Sequence, residues 1–357
     1  MYAGLVPVEF HPANDVEWID PGPGLRFGRG GIAYGDEALH WNSAGEAGEV
    51  SVELWVVPAD EPDKRMGQIF SLFDGAAVEP LLVAQWKSGL VIRNRVSEAV
   101  RRPRYRELGA LGLLFRGQLH YIALTSGSAG TAVFLDGRET AHRSNIPVID
   151  AGEEFRGRLV LGNSPTGTAP WKGDLQGVAV YQRALGADEI ARHHTAVRAA
   201  GVASLANEEG LVALYPFEER TGEAARSRAA AGPPLRVPLD FRRLRMPILQ
   251  RPTLRGRSPD AYGWDALKNV IAFAPLGFFA VAVARRRGVA AGAPAVACAV
   301  VLGFALSLGI ELVQVHLPAR VSSATDVACN TLGSALGAWL ALRGPLAARI
   351  FGSDAAG

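Results

Sequence analysis

"AAGAPAVACAVVLGFALSLGIELVQ", residues 290–314, runs for twenty-one residues without a charge until Glu311, and its uncharged part has no polar face. A helix on the surface of a soluble domain needs such a face, so this stretch predicts a membrane-spanning helix rather than a buried soluble one. Two more apolar runs flank it, giving expected spans at about 262–284, 289–315 and 326–342. Upstream of residue 260 the pattern changes to short alternating runs broken by turn residues. The chain therefore reads as two units of different class.

Composition agrees with that division. In 357 residues, 48% are hydrophobic and the mean hydropathy is +0.11, high for a wholly soluble protein. The net charge of +2 from 37 basic and 35 acidic residues gives no strong field, so nucleic acid is not an implied partner. Only four basic residues are Lys, a skew that fits codon usage better than 33 functional guanidiniums. Cys298 and Cys329 both lie in apolar segments, which excludes a disulfide framework and a thiolate metal site.

The first unit reads as β. In "EVSVELWVVP", residues 49–58, Val50, Val52, Leu54 and Val56 alternate with Ser51, Glu53 and Trp55, placing one strand face in a core. "LLVAQWKSGLVIRN" predicts two strands around Lys87–Gly89, and "LHYIALTSGSAGTAVFLDGRE" two more, closed by Asp136–Gly137. "GRLVLGNS", "GDLQGVAVYQ" and "GLVALYPFEE" continue the series around one short helix at "GADEIARHH", with His193–His194 expected at its end. Many short antiparallel strands with one small helix predict an all-β jelly-roll sandwich.

The order of "GLRFGRGGIAYG", "VSVELWVVP", "QLHYIALTSGSAGTAVFLDGRE" and "WKGDLQGVAVYQRALGADEIARHH" resembles concanavalin A-like, LamG-type domains over about residues 20–235. The resemblance implies a glycan-binding module, some members of which hold calcium at the rim. Related hydrolases place two carboxylates on one strand as Glu-x-Asp-x-x-Glu. No such run occurs here. "DEPDK" falls in a loop and Glu153–Glu154 would point to opposite strand faces, so the expectation leans away from an enzyme. Trp41, Trp86 and Trp171 could stack on sugar rings, though core or rim packing is the stronger expectation for them. Gly28, Gly30 and Gly31 lack the following helix of a phosphate loop and read as a glycine turn.

Residues 235–257, "LRVPLDFRRLRMPILQRPTLRGR", hold seven Arg and three Pro and predict an exposed linker along anionic headgroups, or one merely solvated. The expected plan is a helix remnant at 1–14, a sandwich at 15–234, a linker at 235–260, a helical membrane domain at 261–345 and a tail at 346–357.

Consecutive spans alternate direction, so the start of the first, the end of the second and the start of the third share one membrane face. Asp265, Lys268 and Asn269 fall at the first site, Ser307, Glu311 and Gln314 at the second, Asp326 and Asn330 at the third, with Arg320, Ser322 and Ser323 in the turn. Their spacings of three or four put each set on one helix stripe. Charges beside hydrocarbon read as functional, with Arg320 and Lys268 the expected partners of Glu311 and Asp326. The rival expectation is structural: Ser323 caps a helix and Lys268 snorkels. Gly333 and Gly337 predict close helix packing, and Pro275 a kink.

"DALKNVIAFAPLG" followed by "SLGIELVQVHLPARVSSATDVACNTLG" resembles the VanZ-like family of bacterial membrane proteins over about residues 260–345. Members are associated with resistance to the glycopeptide teicoplanin. Such proteins usually begin with a further span ending in Leu-x-Pro, so "MYAGLVPVEFHP" reads as the last residues of that helix, with the sandwich inserted between two spans. Arg285–Arg287, Arg343 and Arg349 favour cytoplasmic sides there, placing sandwich and polar cluster outside an inner membrane. The functional expectation is a membrane protein that binds or shields an envelope glycan, a lipid-linked precursor or a glycopeptide. An anchored adhesin and an enzyme acting on a lipid-linked substrate are the alternatives.

Overall fold

A computed structural model describes residues 13–41, 48–59, 66–76, 78–95, 105–110, 112–144, 147–148, 155–250, 259–288, 292–316 and 322–343. It divides into a β unit, His11–Arg245, and a helical unit from Met246 onward.

The β unit is the expected sandwich, with two antiparallel sheets of eight strands each among the described residues. One sheet runs β1 (Val16–Trp18), β2 (Leu25–Phe27), β13 (Gly173–Tyr181), β4 (Val50–Pro58), β9 (His120–Gly127), β10 (Gly130–Leu135) and β11 (Arg138–Arg143), with β14 (Leu211–Tyr215) also on β13. The other runs β15 (Ala224–Ala225), β16 (Leu235–Arg236), β3 (Ala33–Trp41), β12 (Phe155–Leu161), β5 (Gly67–Phe73), β6 (Leu81–Trp86), β7 (Gly89–Arg95) and β8 (Tyr105–Ala110). Val52, Leu54 and Val56 of β4 meet Phe70, Leu72, Ile122, Leu124 and Leu175 in one core. Alternation puts every second residue there, and each such buried side chain contributes about 1.5–3 kcal/mol. Asp136 and Gly137, at φ 50° and 80°, make the hairpin turn between β10 and β11 that their sequence predicts.

Two expectations change. The helix α1 spans Ala187–Ala200 rather than stopping at His194, so His193 sits in its middle and is buried. Its start is fixed by Glu189, whose side chain accepts the Gly186 N–H at 2.9 Å. The helix covers the other face of β4, so Ser51, Glu53 and Trp55 are buried as well. Residues 235–245 also belong to the sandwich, because Leu235, Val237 and Phe241 are buried in it and outweigh Arg236 and the arginines that follow at 242, 243 and 245. Ala13 and Asn14, expected in a helix remnant, bond to Asp240 and Leu239 of this segment. The rest of that remnant and the expected tail at 346–357 lie outside the described residues.

In the helical unit, α2 (Pro259–Arg286), α3 (Ala293–Gln314) and α4 (Ala324–Arg343) lie where the apolar runs predict. Two of these, over Gly263–Arg286 and Ala293–Gln314, are long and apolar enough to cross a membrane. The unit is inside out. Ser307, Glu311, Asn330 and Ser334 are buried, while Ile271, Phe279, Val301, Phe304, Leu332 and Leu340 are exposed. The helices approach closely through glycine: a Cβ on Gly333 would overlap the Val270 carbonyl oxygen, one on Gly337 that of Ala274, and one on Gly277 that of Ser334.

Candidate functional site

The polar residues of the three helices meet at one end of the helical unit. Asn269 of α2 donates its Nδ2–H to Asp326 Oδ1 of α4 at 2.9 Å. Glu311, in the last turn of α3 and only 2% exposed, accepts the Ser323 N–H at 2.7 Å and the Ser322 hydroxyl. One turn deeper, Asn330 donates Nδ2–H to Ser307 Oγ at 2.9 Å. Spacings of four on α3 (Ser307, Glu311) and on α4 (Asp326, Asn330, Ser334) put these groups on facing stripes, so sequence periodicity alone builds the array. Ser323 Oγ accepts the Asp326 N–H at 3.3 Å, the cap that its position predicts.

A short segment that no side-chain pattern announces bonds to the turn beside this array. Leu249, at φ 47°, donates its N–H to Ser322 Oγ at 3.1 Å; the Gln250 N–H reaches the Ser322 carbonyl, and the Ala324 N–H reaches that of Gln250. Lys268 goes elsewhere than expected. It pairs with Asp265 at 3.5 Å, both well exposed, because a partner three residues back on its own helix is nearer than one across the bundle. Such a wet pair contributes little. Gln314 is half-buried at the rim, and Arg320 lies outside the described residues. The array is rich in acceptors, among them a carboxylate at Glu311 that no cation pairs with among the described residues.

In the sandwich, Trp171 is fully buried with its indole N–H on Gln85 Oε1 at 2.7 Å, which leaves no face for a sugar. Trp86 is exposed beneath Lys87, 5.3 Å from its ring, and the Trp41 side chain lies outside the described residues. "DEPDK" and Glu153–Glu154 are also outside them. Among the described residues no group of three or more His, Cys, Asp or Glu converges, so calcium finds no such ligand set there.

The sandwich holds one buried network that sequence reading passed over. Glu53 accepts hydrogen bonds from the Tyr121 and Tyr181 hydroxyls and pairs with His193 Nδ1 at 2.9 Å, Glu53 and His193 being wholly buried. His193 Nε2 faces Glu208 at 3.3 Å. Burial alone would lower the His193 pKa, but Glu53 and Glu208 outweigh it and the imidazole is raised above its ordinary value. Burial, and then Glu53, raise Tyr121 and Tyr181, keeping both phenols protonated. The network pins α1 to the sheet.

Two of the helices are long and apolar enough to cross a membrane, and each unit of the chain resembles a known family. Residues 33–191 match the family model of the concanavalin A-like lectin/glucanases superfamily, and residues 201–347 match that of VanZ/LLP1, both as the sequence motifs imply. The VanZ/LLP1 match begins within the sandwich, upstream of the helices. No curated protein matches the chain. Similar solved structures include a Bacteroides ovatus protein provisionally described as carbohydrate binding (16% identity, 60% of this chain and 56% of that one, TM-score 0.40). Others are the receptor-binding domain of botulinum neurotoxin C/D mosaic serotype (9%, 51% and 45%, 0.39) and a heptameric pentraxin from Limulus polyphemus (13%, 65% and 97%, 0.36). The chain spans about half the length of the first two.

Proposed function

We propose that this is a multi-pass protein of a bacterial inner membrane whose three helices hold a cup for an envelope ligand, with the lectin-like sandwich on the extracytoplasmic side. The observation that carries the reading is the inside-out helical unit: buried Glu311, Ser307 and Asn330 at its centre, large apolar side chains outside. Water would favour the reverse; lipid favours this one. The 20 residues of α4 rise about 30 Å, a bilayer core, and its outward Leu332, Leu336, Trp339 and Leu340 form a lipid-facing stripe. The ligand is a glycan, a lipid-linked wall precursor or a glycopeptide, bound or shielded at the cup.

Two experiments test this. A reporter fused in the Ser126–Gly130 turn should read extracytoplasmic and one at Arg285–Arg287 cytoplasmic; the opposite pair of results would sink the orientation. In a host producing the chain, the tolerated teicoplanin concentration should rise with the wild type and not with Glu311→Gln, which stays inserted. Equal protection by both would favour the anchored-adhesin reading, which has the Ser323 cap in its support.

A further inference from the structure

We propose that the inner cup receives an N–H-bearing cation, an ammonium or guanidinium carried on an amphiphile; this deepens the ligand-cup reading and rests on it. The groups that decide the matter are acceptors with capacity to spare. Glu311 accepts the Ser322 hydroxyl and the Ser323 N–H, yet a carboxylate has about four lone-pair sites. Asn330, 6% exposed, spends its Nδ2–H on Ser307 and leaves Oδ1 without a hydrogen-bond partner. Ser334 Oγ, buried against Gly303 one turn deeper, also has none. Buried polar atoms without partners are exceptions that call for an explanation, and two of them beside a buried carboxylate point to a donor-bearing guest.

These acceptors are close together. Asn330 is bonded to Ser307, and Ser307 stands one helical turn, about 6 Å, from Glu311 on the same stripe. Complementarity then selects among ligand chemistries. An ammonium brings three donors, no acceptor and a positive charge, which Glu311 does not find among the described residues. A phosphate would bring more acceptors and negative charge toward Glu311, in a place where hydrocarbon strengthens the repulsion. A hard metal ion requires about six or more oxygens, and the described residues assemble no acidic group of three. The tail follows from the surroundings, since exposed Leu306, Leu312, Val313 and Leu332 flank the same end of the helices and would meet acyl chains.

The test uses the full chain in phosphatidylcholine nanodiscs, titrated with dodecylammonium, butylammonium and dodecyl phosphate, binding being read by calorimetry. Dodecylammonium should bind saturably, at least tenfold more weakly to Glu311→Gln, and more tightly to Asn330→Asp, which keeps the oxygen and adds a charge. Helicity and thermal melting identify any variant that has not folded, and the wild-type probe series stands without it. Equal affinity for butylammonium would overturn the amphiphilic source in favour of a soluble amine. Saturable dodecyl phosphate without ammonium binding would overturn the cation and leave the ligand cup. Saturation by none of the probes, or ammonium uptake unchanged in folded Glu311→Gln, would overturn the proposal; the teicoplanin comparison then decides the cup separately.

Discussion

Replacing Gly337 by alanine puts a methyl group where the Ala274 carbonyl oxygen already lies, at the crossing of α2 and α4. A backbone carbonyl inside a helix cannot turn aside, so the helices must separate, by roughly 1 Å or more. A gap of about 0.5–1 Å forfeits a quarter to a half of each affected dispersion contact, and the same crossing holds Gly277, Gly333 and the Asn269–Asp326 bond. The expected loss is about 2–3 kcal/mol, in the range of overpacked cores. Gly309→Ala is the control: it lies on α3 with nothing within 4 Å of its Cβ position, and it should be neutral or stabilising by up to about 1 kcal/mol. Denaturation of both variants in nanodiscs, followed by helix circular dichroism, measures the difference. If Gly337→Ala proves as stable as Gly309→Ala, the close crossing is wrong.

His193→Ala removes the Nδ1 partner of buried Glu53 and should cost about 3 kcal/mol in the sandwich transition, with the two tyrosine hydroxyls limiting the damage; a loss under about 1 kcal/mol would count against the pair. Because His193 is raised, its stabilisation is fully present below about pH 6.5 and fades as pH rises through the folded-state value. That slope should vanish in His193→Ala, as pH-dependent melts would show. Glu189, held at about 2 chiefly by the Arg183 fork, contributes above pH 4.5 and loses this as pH falls toward 2. Glu189→Gln should cost about 1–2 kcal/mol at pH 7 and much less at pH 2, a urea series at both values being the check.

What was legible in the sequence was local or periodic. Alternation in 49–58 placed β4, the Asp136–Gly137 pair placed a hairpin, and apolar length placed α2, α3 and α4. Spacings of four placed Ser307 with Glu311 and Asp326 with Asn330, hence much of the cup. The buried pair joins Glu53 to a histidine 140 residues away, and a period-two strand pattern says only that Glu53 faces away from the core, not that a helix covers it. Arginine content hid the burial of Leu235, Val237 and Phe241. The attachment of Leu249 and Gln250 to Ser322 consists chiefly of main-chain bonds, which leave no side-chain signature. Trp171 shows the limit of residue type: a core tryptophan and a sugar-stacking one are written with the same letter.

The central claim is that the cup formed by α2, α3 and α4 holds a guest. A high-resolution structure of the full chain in nanodiscs, extracted with its native lipids, tests it most directly. Non-protein density against the Glu311 carboxylate and Asn330 Oδ1, continuing between the helices toward the acyl region, is the predicted result. A cup filled by the protein's own side chains, with the Arg320 guanidinium seated on Glu311 and no density beside it, would contradict the account.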